Sequence, residues 1–173
     1  TQMTDITHRL LTLLATHDLA PSAIIHSTLL LRDMSAFTTI NPIYGSLFTA
    51  PNPPSRVTVA CGDALPDGVE VVLNVVVALD QGTELESSNG LHVQSWSYWA
   101  PANIGPYSQA KSLRIPCSAS AEAGGRDNGD KGQGPIEVYV AGQIPLVPAS
   151  MAMVRAEDLR RDGVDPGCDD LTE

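Results

Sequence analysis

Basic residues are scarce in this chain. It has ten Lys and Arg against twenty Asp and Glu, a formal net charge of −10 over 173 residues. Nucleic-acid binding depends on clustered cations that displace counterions from phosphates. Here the few cations are scattered, so no nucleic-acid partner is expected, and anionic membrane surfaces are disfavoured too. Long hydrophobic runs are also missing. No stretch reaches the roughly 18 apolar residues of a membrane span. The first five residues, Thr1 to Asp5, lack a basic segment leading into an apolar one, so no signal peptide is expected. Cysteine is rare: Cys61, Cys117 and Cys168 are odd in number and match no zinc spacing. They read as ordinary thiols of a reducing compartment, and the expected location is cytoplasmic. His8, His17, His26 and His92 show no ligand spacing, and Asp127 and Asp130 do not fit a calcium loop. No metal and no cofactor are expected. The acidic end, Asp162 to Glu173, reads as a solvated face. What the chain does have is 43% hydrophobic residues. That is enough to bury the core of one domain of roughly 100–150 residues.

Periodicity predicts a helix over Asp5–Thr16, with Ile6, Leu10, Leu13 and Leu14 on one face and Thr4 as its cap. Ala23–Leu31 reads as a strand. A second helix is expected over Ser35–Leu47, capped by Ser35, with Pro42 kinking it or delaying its start. Thr49–Ser55 holds three prolines and is read as a loop. Val57–Cys61 reads as a short strand. Val69–Leu79 is almost wholly apolar, which predicts a strand buried on both faces at the sheet centre. Residues 81–90 are the expected linker. Beyond it, strands are expected at Leu91–Trp99, Leu113–Pro116 and Ile136–Ile144. Residues 118–135, rich in Gly, Ser, Asp and Ala, read as a mobile insertion. Residues 155–173 read as a charged tail. The order of elements predicts an α+β design, with helices on one face of a mixed sheet.

Two blocks carry a family resemblance. The first contains Leu31-Arg32-Asp33-Met34-Ser35-Ala36-Phe37, then Asn41, Tyr44 and Phe48, then Pro54-Ser55-Arg56-Val57-Thr58-Val59 and Leu65-Pro66. The second contains Ala100-Pro101-Ala102-Asn103-Ile104-Gly105-Pro106-Tyr107-Ser108-Gln109-Ala110 and Val140-Ala141-Gly142-Gln143-Ile144-Pro145. Both resemble the Rid/YjgF family, also called the L-PSP endoribonuclease family. The first block is similar to the second half of a family domain, and the second block to its opening. The resemblance thus implies a Rid/YjgF-like (chorismate-mutase-like) mixed sheet with two helices on one face and its halves in permuted order. Residues 1–80 would form the second half and 91–154 the first, together making one domain. Such an order is similar to that of eukaryotic diphthine–ammonia ligases, which carry two such domains behind an ATP-using ligase domain. No ATP-pyrophosphatase motif occurs in this chain. The family's assembly implies a homotrimer with ligand clefts between subunits.

The resemblance also selects residues. A guanidinium matches a carboxylate with two parallel hydrogen bonds. Deaminases of the family use the arginine matching Arg56 to hold the carboxylate of a 2-imino acid while water attacks the imine carbon. Without the family, Arg56 reads as a surface arginine beside prolines. Tyr107 matches the tyrosine near the cleft; its phenol either serves a ligand or is satisfied by backbone. Gly142 either lets backbone approach a ligand or makes a plain turn. Thr58 either lines the cleft or is an ordinary strand threonine. Active deaminases have a glutamate on the last long strand to activate water. The corresponding positions here are Val72 and Asn74. Valine offers no hydrogen bond, and the Asn74 amide orients water without accepting its proton. Ser108 shows no His–Asp partners in sequence, so a serine nucleophile is not expected. Binding of a small carboxylate or imine is therefore favoured. An imine or enamine deaminase and a purely structural trimerisation unit remain alternatives. A ribonuclease is disfavoured by the charge and by the lack of a histidine pair.

Overall fold

The computed structural model describes residues 1–79, 89–115 and 135–155. The chain divides into two compact units. The first comprises Thr1–His92 and Asn103–Gly142, and the second Val93–Ala102 and Gln143–Glu173. The first is α+β, with two helices and two small sheets, in keeping with a Rid/YjgF-like fold.

Helix α1, Gln2–Thr16, starts earlier than its spacing predicts. Thr1 is the cap, accepting from the Thr4 N–H at 3.3 Å, and the Thr4 hydroxyl sits against it at 2.8 Å. Met3, Thr7 and Leu14 are buried, with Ile6 and Leu10 packed beside them. Leu13, expected on that face, is exposed, because the buried stripe begins at Met3. The helix ends with Asp18 in the left-handed region, at φ 55°. The Leu19 N–H then reaches the Leu14 carbonyl and the Asp18 N–H the Ala15 carbonyl, closing the last turn.

Strand β1, Ile24–Leu31, alternates buried and half-buried residues along most of its length. A short 3₁₀ turn, Met34–Ala36, precedes α2, Phe37–Gly45. The cap of that turn is Asp33 rather than Ser35. Its carboxylate accepts the Ser35 N–H at 2.7 Å, which lowers its pKa. Pro42 lies inside α2 without ending it, and the α-helix proper is two residues shorter at each end than the predicted Ser35–Leu47. Strands β2, Ser55–Ala60, and β3, Val71–Val77, flank β1, parallel and antiparallel respectively.

The order β2-β1-β3 corrects the expectation that the apolar Val69–Leu79 run is central. β1 takes the middle, and β3 is an edge strand whose residues are mostly half-buried, with Asn74 exposed. A continuous apolar run signals two covered faces, but among the described residues helices cover only one face of β3. That covered side holds the core: Met3, Leu29, Leu31, Ile40, Tyr44, Leu47 and Val71.

The second sheet is antiparallel, in the order β4-β5-β6, with β4 at Asn89–Leu91, β5 at Ala110–Arg114 and β6 at Ile136–Val140. Asn89 and Gly90, expected in the linker, are thus ladder residues, paired with Ser112 and Lys111. Backbone also joins β2's outer edge. Ser108 N–H donates to Pro54 at 3.0 Å and Gly142 N–H to Arg56 at 2.9 Å, with a parallel bridge between Ser55 and Ser108.

In the second unit the expected strand at Leu91–Trp99 is absent beyond Leu91. The Ser97 hydroxyl instead donates to the Ala100 carbonyl and accepts its N–H, a side-chain-anchored turn that competes with a ladder. A tight reversal joins Leu146 to Met153. Residues 81–88, most of the 118–135 segment and the tail after Arg155 lie outside the described residues.

Arg32 secures the connection between β2 and β3. Its guanidinium donates to the carbonyls of Val69, Gly62, Leu65 and Pro66, at 3.1, 3.3, 3.1 and 2.6 Å. Asp63 and Glu70 stand at 3.5 Å, but both are largely solvated and add little. Arg32→Ala leaves these carbonyls without their donor. It is expected to lower stability by roughly 2–4 kcal/mol in urea denaturation. Asp63→Asn is expected to change it by less than about 0.5 kcal/mol.

Candidate functional site

The site is built where β2 faces α2. The register pairs Arg56 with Ser27 of β1. Paired residues share a sheet face, so Arg56 points to the helix side. It is 4% exposed. Helix α2 presents Phe37, Asn41 and Tyr44 at helical spacing, on the face turned to the sheet. The Arg56 Nη1 donates to Asn41 Oδ1 at 2.8 Å. The guanidinium carbon lies 5.4, 4.7 and 5.2 Å from the ring centres of Phe37, Tyr44 and Tyr107. Three π-faces around one cation offset part of its desolvation. No carboxylate pairs with it among the described residues.

Burial lowers the Arg56 pKa, and the neighbouring Tyr44 and Tyr107 phenols oppose that shift. A guanidinium remains charged regardless. Burial raises the Tyr44 pKa, partly countered by a 2.6 Å hydrogen bond with the Ser27 hydroxyl and by Arg56. Tyr44 therefore serves as a neutral wall.

The loop over the guanidinium is held by Asn103. Its side-chain amide donates to the carbonyls of Gly105 at 2.6 Å and Tyr107 at 3.1 Å. The Tyr107 hydroxyl accepts the Ile104 N–H at 3.4 Å, a long contact, and finds no acceptor for its own proton among the described residues. Gly105 leaves room for the guanidinium, because a Cβ there would stand 2.9 Å from Arg56 Nη2 and 3.4 Å from Asn41 Oδ1.

The remaining predicted site residues fall in different places. Thr58 lies two residues beyond Arg56 on the same face, and its buried hydroxyl has no hydrogen-bond partner among the described residues. Gly142 lies beside Arg56 but donates its N–H to the Arg56 carbonyl, and a Cβ there would meet nothing closer than 3.7 Å. Asn74 pairs with Thr28 and Val72 with Leu30, which puts both on the sheet face opposite Arg56. The structure thus groups Arg56, Tyr107 and Thr58 and leaves Asn74 apart.

Sequence reasoning named Phe37, Asn41, Tyr44 and Gly105 within the matching blocks without giving them a role. The signal was the i, i+4, i+7 spacing of an amide between two rings. Ser108, read as lacking a histidine, has His92 Nδ1 at 3.4 Å, but its hydroxyl is fully buried and donates to Pro53 at 2.6 Å. It has no access to a substrate. His26, on the opposite sheet face, contacts the Ser55 hydroxyl at 2.8 Å and stacks on Tyr139, and burial lowers its pKa.

A strand parallel to its neighbour, carrying a caged arginine against a two-helix layer, places the first unit among small α+β domains. The family model described as Endoribonuclease L-PSP matches residues 1–79, and over them the chain belongs to the Rid/YjgF family. Diphthine–ammonia ligase of Saccharomyces cerevisiae is 39% identical over 160 residues, covering 88% of this chain and 21% of that protein. Its Schizosaccharomyces pombe counterpart is 34% identical over 141 residues, covering 82% and 19%. The chain therefore spans about a fifth of the length of the curated relatives it matches.

Gly105→Ala tests the cage. The new methyl is expected to displace the guanidinium from Asn41 while costing roughly 1 kcal/mol of stability. Nitrogen-15 spectra of the Arg56 side chain should show the displacement, and an unchanged Arg56 signal would contradict the packing described.

Proposed function

We propose that this chain is a Rid-type small-molecule binding domain of a diphthine–ammonia ligase-type protein, holding a small carboxylate or imine at Arg56. The observation that carries this reading is a buried guanidinium with no carboxylate partner among the described residues. An uncompensated cation out of water costs several kcal/mol, and a planar anion with two oxygens satisfies it in geometry as well as charge. The unpartnered Thr58 hydroxyl on the same face supports a further polar contact. A ligand must displace part of the cage. The 103–107 loop, tied down by Asn103, is the part that belongs to no helix or strand.

In this reading the two sheets of the first unit are the halves of one permuted domain, joined along β2. The residues between β3 and β4 then act as the linker, and residues 155–173 as a charged tail. The domain is non-catalytic or weakly catalytic. Val72 and Asn74 stand where the family's active deaminases have glutamate, and both face away from Arg56. Ribonuclease activity is not part of this reading, given the scarcity of cations. The reading keeps the cytoplasmic location expected from the scarce cysteines, and no described helix is long and apolar enough to cross a membrane.

Pyruvate is the probe for the binding reading. Nitrogen-15 titration should show saturable shifts around Arg56, weakened at least about tenfold in Arg56→Ala. A coupled assay of 2-aminoacrylate hydrolysis should show little turnover. Brisk turnover that vanishes in Arg56→Ala would establish the deaminase reading instead.

A second reading, a homotrimerisation unit, draws on β6. Ile136, Val138 and Val140 alternate on one face and are 54%, 60% and 53% exposed. A bare apolar stripe on a strand marks an interaction surface. Light scattering should report a trimer for the wild type and a monomer for Val138→Glu.

A further inference from the structure

The first unit contains a second buried cation, remote from Arg56 in its lining and chemistry. Lys111 is the second residue of β5 and is 7% exposed. Its side chain enters a cavity of about 380 Å³ lined by Leu47, Phe48, Pro51, Pro53 and Pro54. Small-molecule sites start near this volume and are mostly apolar with few polar groups. We propose that this cavity is a second ligand site, for a small organic monoanion with an apolar tail, whose charged end is held by Lys111 Nζ.

The placement of that amine is specific. Lys111 pairs with Gly90 across β4–β5, and a Cβ at Gly90 would come within 3.2 Å of Lys111 Cδ. Glycine leaves the space that the lysine stem fills. On the other side, Nζ donates to the Asn52 carbonyl at 3.2 Å. Asn52 holds φ 58°, a left-handed conformation that costs a non-glycine residue energy and here belongs to the loop that supplies this carbonyl. An ammonium has three donors, and a carbonyl satisfies one of them. No carboxylate neutralises it among the described residues. Burial lowers the Lys111 pKa, as expected of a cation that lacks a counter-charge. The proline and phenylalanine walls give an apolar tail a place to lie. A bare inorganic anion would use only the ammonium.

The test uses hexanoate, hexan-1-ol and inorganic phosphate as probes, with the full chain followed by NMR. Hexanoate should move the Lys111 ammonium resonance and the Phe48 and Asn52 amides along one saturable curve. Hexan-1-ol and phosphate should bind at least about tenfold more weakly, and Lys111→Met should weaken hexanoate by a similar factor. A Lys111 resonance that hexanoate leaves unmoved overturns the proposal. So does an alcohol or phosphate that binds as well, or a Lys111→Met protein that keeps its affinity. If that variant does not fold, the wild-type comparison of the three probes decides alone.

Discussion

A guanidinium withdrawn from water has to be compensated locally, and the architecture of the first unit follows from how that is done for Arg56. Strand β2 must be interior enough to hold the side chain dry, so it is bonded on both edges, by β1 and by the chain at Ser108 and Gly142. Helix α2 must cross it with an amide between two aromatic rings. A glycine must sit where any side chain would strike the charge. Each of these features is costly or unremarkable alone, and they cohere around one cation. That no carboxylate pairs with it among the described residues is what turns a structural arrangement into a candidate site.

The helix layer was largely legible in the sequence. The stripe of α1, the strand at Ile24–Leu31 and the prolines before β2 are local signals with local causes. Arg56 was also legible, but through the family resemblance and not through its own chemistry, since an arginine after three prolines reads as surface. Sheet order was not legible. Val69–Leu79 resembles a central strand because composition reports how much of a strand is covered, not what covers it. The strand predicted through Trp99 failed for a related reason. Alternation sets side-chain direction, but a strand also needs a partner backbone, and Ser97 offered a turn instead. The side of the sheet on which Asn74 lies follows from register, which a single sequence does not print.

The two buried cations are supported differently. Arg56 is surrounded by rings and an amide, which are side-chain choices. Lys111 is admitted by a glycine and tethered by a carbonyl, which are main-chain choices. The first kind of site changes its preference when its walls mutate. The second depends on the path of the backbone.

Arg32 belongs to that second kind, and it bears on how this sequence can drift. It grips the segment between β2 and β3 through main-chain carbonyls, which every amino acid supplies. Most residues from Cys61 to Glu70 are therefore free to change identity without loosening the grip. The constrained positions are Gly62 and Gly68, at φ 53° and 75°, where the path itself demands glycine. Across relatives this loop should vary in charge and size while keeping its length and those two glycines, and an arginine that looks solvent-facing in sequence should be among the slowest positions to change.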